Sequence, residues 1–456
     1  MQKRLCQVLG IIMAGTLMAM SGGCVRPTGD DLDTSVSIEE QTNKESVKSV
    51  ASGEETIRFV TWTNDATLEA LEQINEQFTK ETGIKVEITD VAAADYEELL
   101  KQSIANNEAD IFCYTTDSKA FAQPVVEWAP SEMLTWEHII ADGNALELSG
   151  YDFVNNWSTG AEACRYKDGI YGIATGLTIM NGVFYNKKLF EANGWTEPRT
   201  WDEFVDLCEK IKATGIAPLT VGGADTWPVQ MITNAIVDCV VEGKGEELCE
   251  GLWKKNRSYT DDESMKIYCR EQQFLSYMEE DFMEVPYSEA PLRFTQGVAA
   301  MLYDGSWNAG EIEKADPDFE YDYFAIPGDT KHNFTGKYDL TLGINAKSDK
   351  SDLAVEWLDF FSRPDIYTIY INCNGFVPTM SWISTSNKFL MMIDDRLKDA
   401  DRSYECYNRV PTNMGPYGTY DLINYSITGG VFDTPEEFAQ AAQKDWDEAL
   451  KTIFDN

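Results

Sequence analysis

The chain has 456 residues, with 37 Lys and Arg against 77 Asp and Glu, and a formal net charge of −40. Such an excess of carboxylates repels nucleic acid and anionic lipid, so neither is expected as a partner. With only two histidines, His138 and His332, a Ser-His-Asp triad and a histidine-based zinc site find little support, and no metal or other cofactor is expected.

Lys3 and Arg4 open the chain, an apolar run extends from Val8 to Met20, and Ser21-Gly22-Gly23-Cys24 follows. The run is too short to span a bilayer stably, which predicts a secretory signal at 1–23. Small residues before a cysteine resemble a bacterial lipobox, in which Cys24 becomes the lipidated first residue, carrying palmitate-type acyl chains. The alternative is an ordinary signal that happens to contain a cysteine. Residues 24–55 are rich in Ser, Thr, Glu and Lys and poor in large apolar side chains. They predict an anchor and a disordered tether at the outer face of a bacterial cell membrane. About 400 residues remain, more than one core usually holds, so two lobes are expected. Apart from Cys6 and Cys24, eight cysteines are irregularly spaced with no Cys-x-x-Cys. They are read either as disulfides or as small buried thiols, and not as zinc ligands.

The folded part begins with a strand, 56–62, then a helix over 67–82 with Leu68, Leu71, Ile74 and Phe78 on one stripe and Gly83 as its stop. A strand over 84–91, a helix over 96–106 and an apolar strand over 109–114 follow. This β-α-β-α-β start predicts a mostly parallel sheet, with ligand bound beyond the carboxyl ends of its strands. A short strand is expected at 183–186. Thr200 and Glu203 form a capping box for a helix reaching Gly215. A strand at 217–221 leads into Gly222-Gly223 and Trp227, and 229–290 is expected to be largely helical. Phe294, Gly297 and Ala300 suggest a short helix with a small-residue face. A buried strand should follow and end in Gly305-Ser306, which presents Trp307. Further on come a strand at 340–346, a helix at 353–362 closed by Pro364, and a terminal helix capped by Thr434-Pro435 and Glu437.

Three blocks carry a resemblance: Gly-Ile-Tyr-Gly through Tyr185-Asn186-Lys187, Leu189-Phe190, Pro198, Thr200-Trp201 and Glu203; the Phe294–Trp307 segment; and 340–363. In order and spacing they are similar to the extracellular solute-binding proteins of ATP-binding-cassette sugar importers, the maltose-binding type. The resemblance implies an α/β, two-lobed periplasmic-binding-protein-like fold with hinged lobes and an interlobe ligand cleft. Lobe one would take 56–176 and 331–377, and lobe two 177–330 and 378–456. It also implies a monomeric carrier that delivers a carbohydrate to membrane permease subunits.

A sugar needs aromatic platforms for its ring faces and planar polar groups for its hydroxyls. Candidates are Trp62, Asn64 and Asp65 at the end of the first strand and Asp117 after the third, Asp65 and Asp117 being also candidate helix caps. Trp307, Trp227, Tyr338 and Tyr417 complete the aromatic set, each alternatively a packing or loop residue. Where some sugar-binding relatives carry an acidic residue, this chain has Thr178-Ile-Met-Asn181, and Asn181 is the polar candidate. Rival readings are the same fold with a polyamine, peptide or other non-sugar solute, and a secreted two-carboxylate glycosidase. No nucleophile-elbow, phosphate-loop or zincin motif supports an enzyme.

Overall fold

The computed structural model describes residues 55–115, 125–129, 135–157, 159–330, 332–400, 409–411 and 413–455. The signal, Cys24, nearly all of the tether, Asp117 and Cys406 lie outside these residues. Strands occur, in chain order, at β1 (Thr56–Trp62), β2 (Lys85–Val91), β3 (Ile111–Tyr114), β4 (Arg165–Tyr166), β5 (Gly169–Ile170) and β6 (Ile173–Ile179). They continue with β7 (Gly182–Asn186), β8 (Ala217–Thr220), β9 (Ala299–Tyr303), β10 (Tyr321–Ala325) and β11 (Gly336–Ile344).

Two larger sheets organise them. The first has the order β2-β1-β3-β11-β6 and the second β10-β7-β9-β8. In the first, β2, β1 and β3 pair in parallel, as the alternation with helices Asp65–Thr82 and Ala93–Ala105 requires. β11 runs antiparallel to both β3 and β6. The sheet is therefore mixed where a mostly parallel one is expected. The reason is connectivity: β11 returns from the second sheet without a crossover helix of its own. In the second sheet only β8 and β9 are parallel.

The chain leaves the first sheet between Ile179 and Gly182 and re-enters it by Gly336. Asn181 brackets these two passages. Its Nδ2 donates to the Asn333 carbonyl and its Oδ1 accepts from Thr335 N, both at 2.9 Å. A third segment runs alongside, with Val377 bridged to Leu177, before the helix Lys388–Leu397.

Local chemistry accounts for the element ends. Asn64 caps the first helix by accepting from Thr67 N at 2.9 Å, and Gly83 closes it at φ +81°. Thr200 Oγ1 accepts from Glu203 N at 3.2 Å, while Glu203 reaches back to Arg199 N at 2.7 Å. Thr434 Oγ1 caps the terminal helix Pro435–Asp455 through Glu437 N. Two expectations need correction. Pro364 follows a helix end, Ser351–Phe361, but also opens a new helix, Pro364–Cys373, because its fixed φ suits a first turn. The helix before Trp307 is only Ala290–Thr295. Gly297 turns at φ +75°, and Ala299 and Ala300 belong to β9.

Seven cysteines are described, and no disulfide joins any two of them; Cys113, Cys164, Cys208, Cys239 and Cys249 are buried. The buried-thiol reading holds for these five, while Cys269 is exposed and Cys373 half-buried. No helix among the described residues is long and apolar enough to cross a membrane.

Candidate ligand-binding site

The site is built around the turn that follows β9. Its five residues are all buried, so the strand delivers Asp304, Gly305 and Ser306 to a fixed place. Ser306 Oγ accepts from Ile179 N at 3.0 Å, which ties the turn to the end of β6. The Ser306 carbonyl lies so near Gly375 that a Cβ there would sit 1.9 Å from it. Trp307 folds back over Gly305, where a Cβ would meet the indole at 2.1 Å.

Three rings meet at this point. The Trp227 and Tyr287 centroids are 4.5 Å apart, and those of Trp227 and Trp307 are 6.3 Å apart. The Trp307 indole N–H donates to the Tyr287 hydroxyl at 2.5 Å, and that hydroxyl donates to Asp304 Oδ1 at 3.1 Å. Asp304 also accepts from Gly305 N at 2.8 Å and from the Asn308 amide. Complete burial pushes its carboxyl up to about 7, partly offset by the Asn308, Gly305 and Tyr287 donors. Burial, and then the neighbouring Asp304 charge, push the Tyr287 phenol well up. Trp227 and Tyr287 keep part of their surface open, although the Tyr287 hydroxyl end is enclosed. Trp307 is only 8% exposed. The open aromatic surface is therefore that of Trp227 and Tyr287, with Trp307 behind them.

Close backbone approach positions Tyr287. A Cβ at Gly222 would sit 2.4 Å from the Tyr287 Cα, and one at Gly223 would sit 2.5 Å from the Phe282 carbonyl. Asp225 Oδ2 accepts from Tyr287 N at 2.7 Å. Thr226 adopts φ +65°, a strained value for a β-branched residue, immediately before Trp227-Pro228 starts its helix.

The end of β1 approaches the same region. Glu311, on the short helix that begins two residues after Trp307, accepts from Ala66 N at 3.2 Å. Trp62 is half-buried with its ring edge-on to Tyr96 at 5.2 Å. Asn64 is engaged as a helix cap, and Asp65 is exposed in the first turn.

The other candidates have surroundings of their own. Asn181 is fully buried with both ends of its amide bonded to backbone. Tyr338 sits half-buried on β11 opposite Leu177. Tyr417 packs edge-on against Phe432 at 4.8 Å. Asp117 lies outside the described residues.

Two residues escape sequence reasoning. Tyr287 lies in a 3-10 turn without periodicity. Asp421 accepts from Gln230 Nε2 at 2.7 Å, which joins a carboxyl to a side chain one helical turn along from Trp227. Burial raises that carboxyl. Its only signal in the sequence is its place directly after Tyr417-Gly-Thr-Tyr.

A groove of about 740 Å³ lies elsewhere, lined by Glu197, Arg199, Phe334 and Arg396 among others. Two of its charges are paired within the protein: Arg396 holds Asp322 at 2.5 Å and Glu197 at 3.4 Å. It offers no convergent ring surface, so the three-ring group is the stronger candidate.

Comparison with known proteins agrees in kind. The chain is 27% identical over 202 residues to the multiple sugar-binding protein of Streptococcus mutans, covering 43% of this chain and 48% of that relative. It is 27% identical over 158 residues to the diacetylchitobiose binding protein of Streptomyces coelicolor, covering 33% and 32%. The matches thus span about half or less of these relatives. Among solved structures, the solute-binding protein RafE with raffinose superposes with a TM-score of 0.69 at 21% identity, covering 86% of this chain and 99% of that one. A chitin oligosaccharide binding protein gives 0.69 at 22% identity, covering 87% and 99%. The fold is accordingly the two-lobed α/β fold of solute-binding proteins. The model of the bacterial extracellular solute-binding protein family matches residues 63–367, and the chain belongs to that family.

Proposed function

We propose that this protein captures a carbohydrate, an oligosaccharide, between its two lobes and hands it to the permease of an ATP-binding-cassette importer. The lobes in this reading are 56–176 with 331–377, and 177–330 with 378–456. A lipid on Cys24 holds the mature protein at the outer face of the cell membrane after removal of 1–23, and it works as a monomeric carrier without turnover. The observation that carries the reading is the Trp227, Tyr287 and Trp307 group, with the Asp421 carboxyl bonded to Gln230 on the helix that Trp227 opens. Ring surface backed by carboxyl groups suits the weakly polar face and the hydroxyl edge of a sugar. Trp62, Asp65 and Asp117 would meet the ligand from lobe one, with Tyr338 and Tyr417 at its margins, while Asn64 and Asn181 would serve by holding backbone in place. The sugar-binding names of the sequence relatives support this, as do structural neighbours solved with raffinose or known for chitin oligosaccharide.

Titration calorimetry against mono- and oligosaccharides, with a polyamine and a short peptide as rival solutes, tests it. Saturable binding of an oligosaccharide without release of reducing ends is the expected result. Binding of the polyamine or the peptide alone, or hydrolysis of the sugar, overturns the proposal.

A further inference from the structure

We infer that Tyr287 is the positioning residue of the aromatic platform: it fixes both indoles and turns the only polar atom of Trp307 away from the ligand. The inference deepens the carbohydrate reading but rests on contacts present without ligand. An indole has one hydrogen-bonding atom, its N–H. In Trp307 that N–H points to the Tyr287 hydroxyl at 2.5 Å, so Trp307 can offer a ligand only apolar contact. The phenol in turn donates to Asp304 Oδ1, which the Gly305 amide and the Asn308 side chain hold in place. Its ring lies 4.5 Å from that of Trp227. One phenol thus sets the spacing of two tryptophans, and its backbone is fixed by Asp225 and by the bare face of Gly222. Rigid support of this kind removes an ordering cost from binding.

The experiment is NMR of the full chain labelled with ¹⁵N at its 12 tryptophan indoles. Trp307→Phe assigns the Trp307 resonance. In the ligand-free wild type this N–H should be shifted downfield and exchange slowly with solvent. In Tyr287→Phe it should move upfield and exchange at least tenfold faster, and the Trp227 resonance should move with it. A Trp307 N–H that already exchanges fast in the wild type, or one that ignores Tyr287→Phe, overturns the inference; the wild-type measurement decides even where the variant does not fold. Adding the tightest-binding oligosaccharide should leave the Trp307 N–H bonded as before, whereas transfer of that N–H to the sugar would also overturn it. Absence of any sugar binding would count against the carbohydrate reading alone, since the ligand-free spectra still decide the role of Tyr287.

Discussion

Trp227 and Trp307 share one cluster but differ in what their removal should do. Trp307 is 8% exposed and belongs to the continuous core, whereas Trp227 is half-buried at the start of its helix. Replacing a core tryptophan by alanine removes packing and leaves a cavity, at about 3–5 kcal/mol of stability. It also strips the Tyr287 hydroxyl of its donor. Trp227→Ala removes mostly surface that a ligand would cover, so we expect a loss of about 1–3 kcal/mol in binding with stability changed by less than about 1 kcal/mol. Urea melts and calorimetry on both variants check the contrast. Equal stability losses would mean that Trp227 is a packing residue. Both tryptophans are legible in the sequence because each follows a glycine-rich turn at a strand end. Tyr287 is not legible: its importance comes from the Trp227, Trp307 and Asp304 contacts, separated from it by 60, 20 and 17 positions. Asn64 and Asn181 show the opposite case. They are polar and well placed in sequence, yet a helix cap and a backbone bracket occupy their side chains.

At the scale of elements, the turn between β8 and the helix Trp227–Val241 governs the site. Gly222 and Gly223 are ordinary in φ and are needed for close approach: the segment from Phe282 to Tyr287 lies directly on them. Gly222→Ala should therefore push that segment away at a cost of about 1–3 kcal/mol in stability, the usual range for overpacking, lengthen the Trp307-to-Tyr287 bond and weaken ligand binding. A crystal structure and calorimetry of the variant would check both halves; unchanged affinity would detach this turn from the site. The helices and most strands are readable because capping boxes and apolar periodicity are local signals. The direction of β11 and the new helix at Pro364 are not. A strand returning from another sheet carries no local mark of its direction, and a proline serves equally as a stop and as a first residue. The same limit applies to Ala299 and Ala300, whose small side chains fit a helix face and a buried strand alike.

On the scale of the whole molecule, the two sheets are joined by short passages that run close together, with Asn181 bracketing two of them. Adjacent passages of this kind can act as a hinge, because small changes in a few backbone angles rotate everything beyond them. Other contacts tie the halves beside the site. Glu311 accepts from Ala66 N, and Lys314 lies 3.6 Å from both Glu69 and Glu311. Lys314 and Glu69 are largely exposed, so their pairing is weak and open to screening. The Glu311 contact is more enclosed, and burial raises its carboxyl. Rotation about the passages would leave the Asn181 bracket intact and alter the Lys314 pairing. A ligand that binds only the folded state at one hundred times its dissociation constant adds about 2.7 kcal/mol of stability. If that ligand bridges both sheets, the radius of gyration from small-angle X-ray scattering should fall in the same titration, with the same midpoint as the rise in melting temperature. A rise in melting temperature with an unchanged radius would place the ligand on one half only, and the hinge would then have no part in capture.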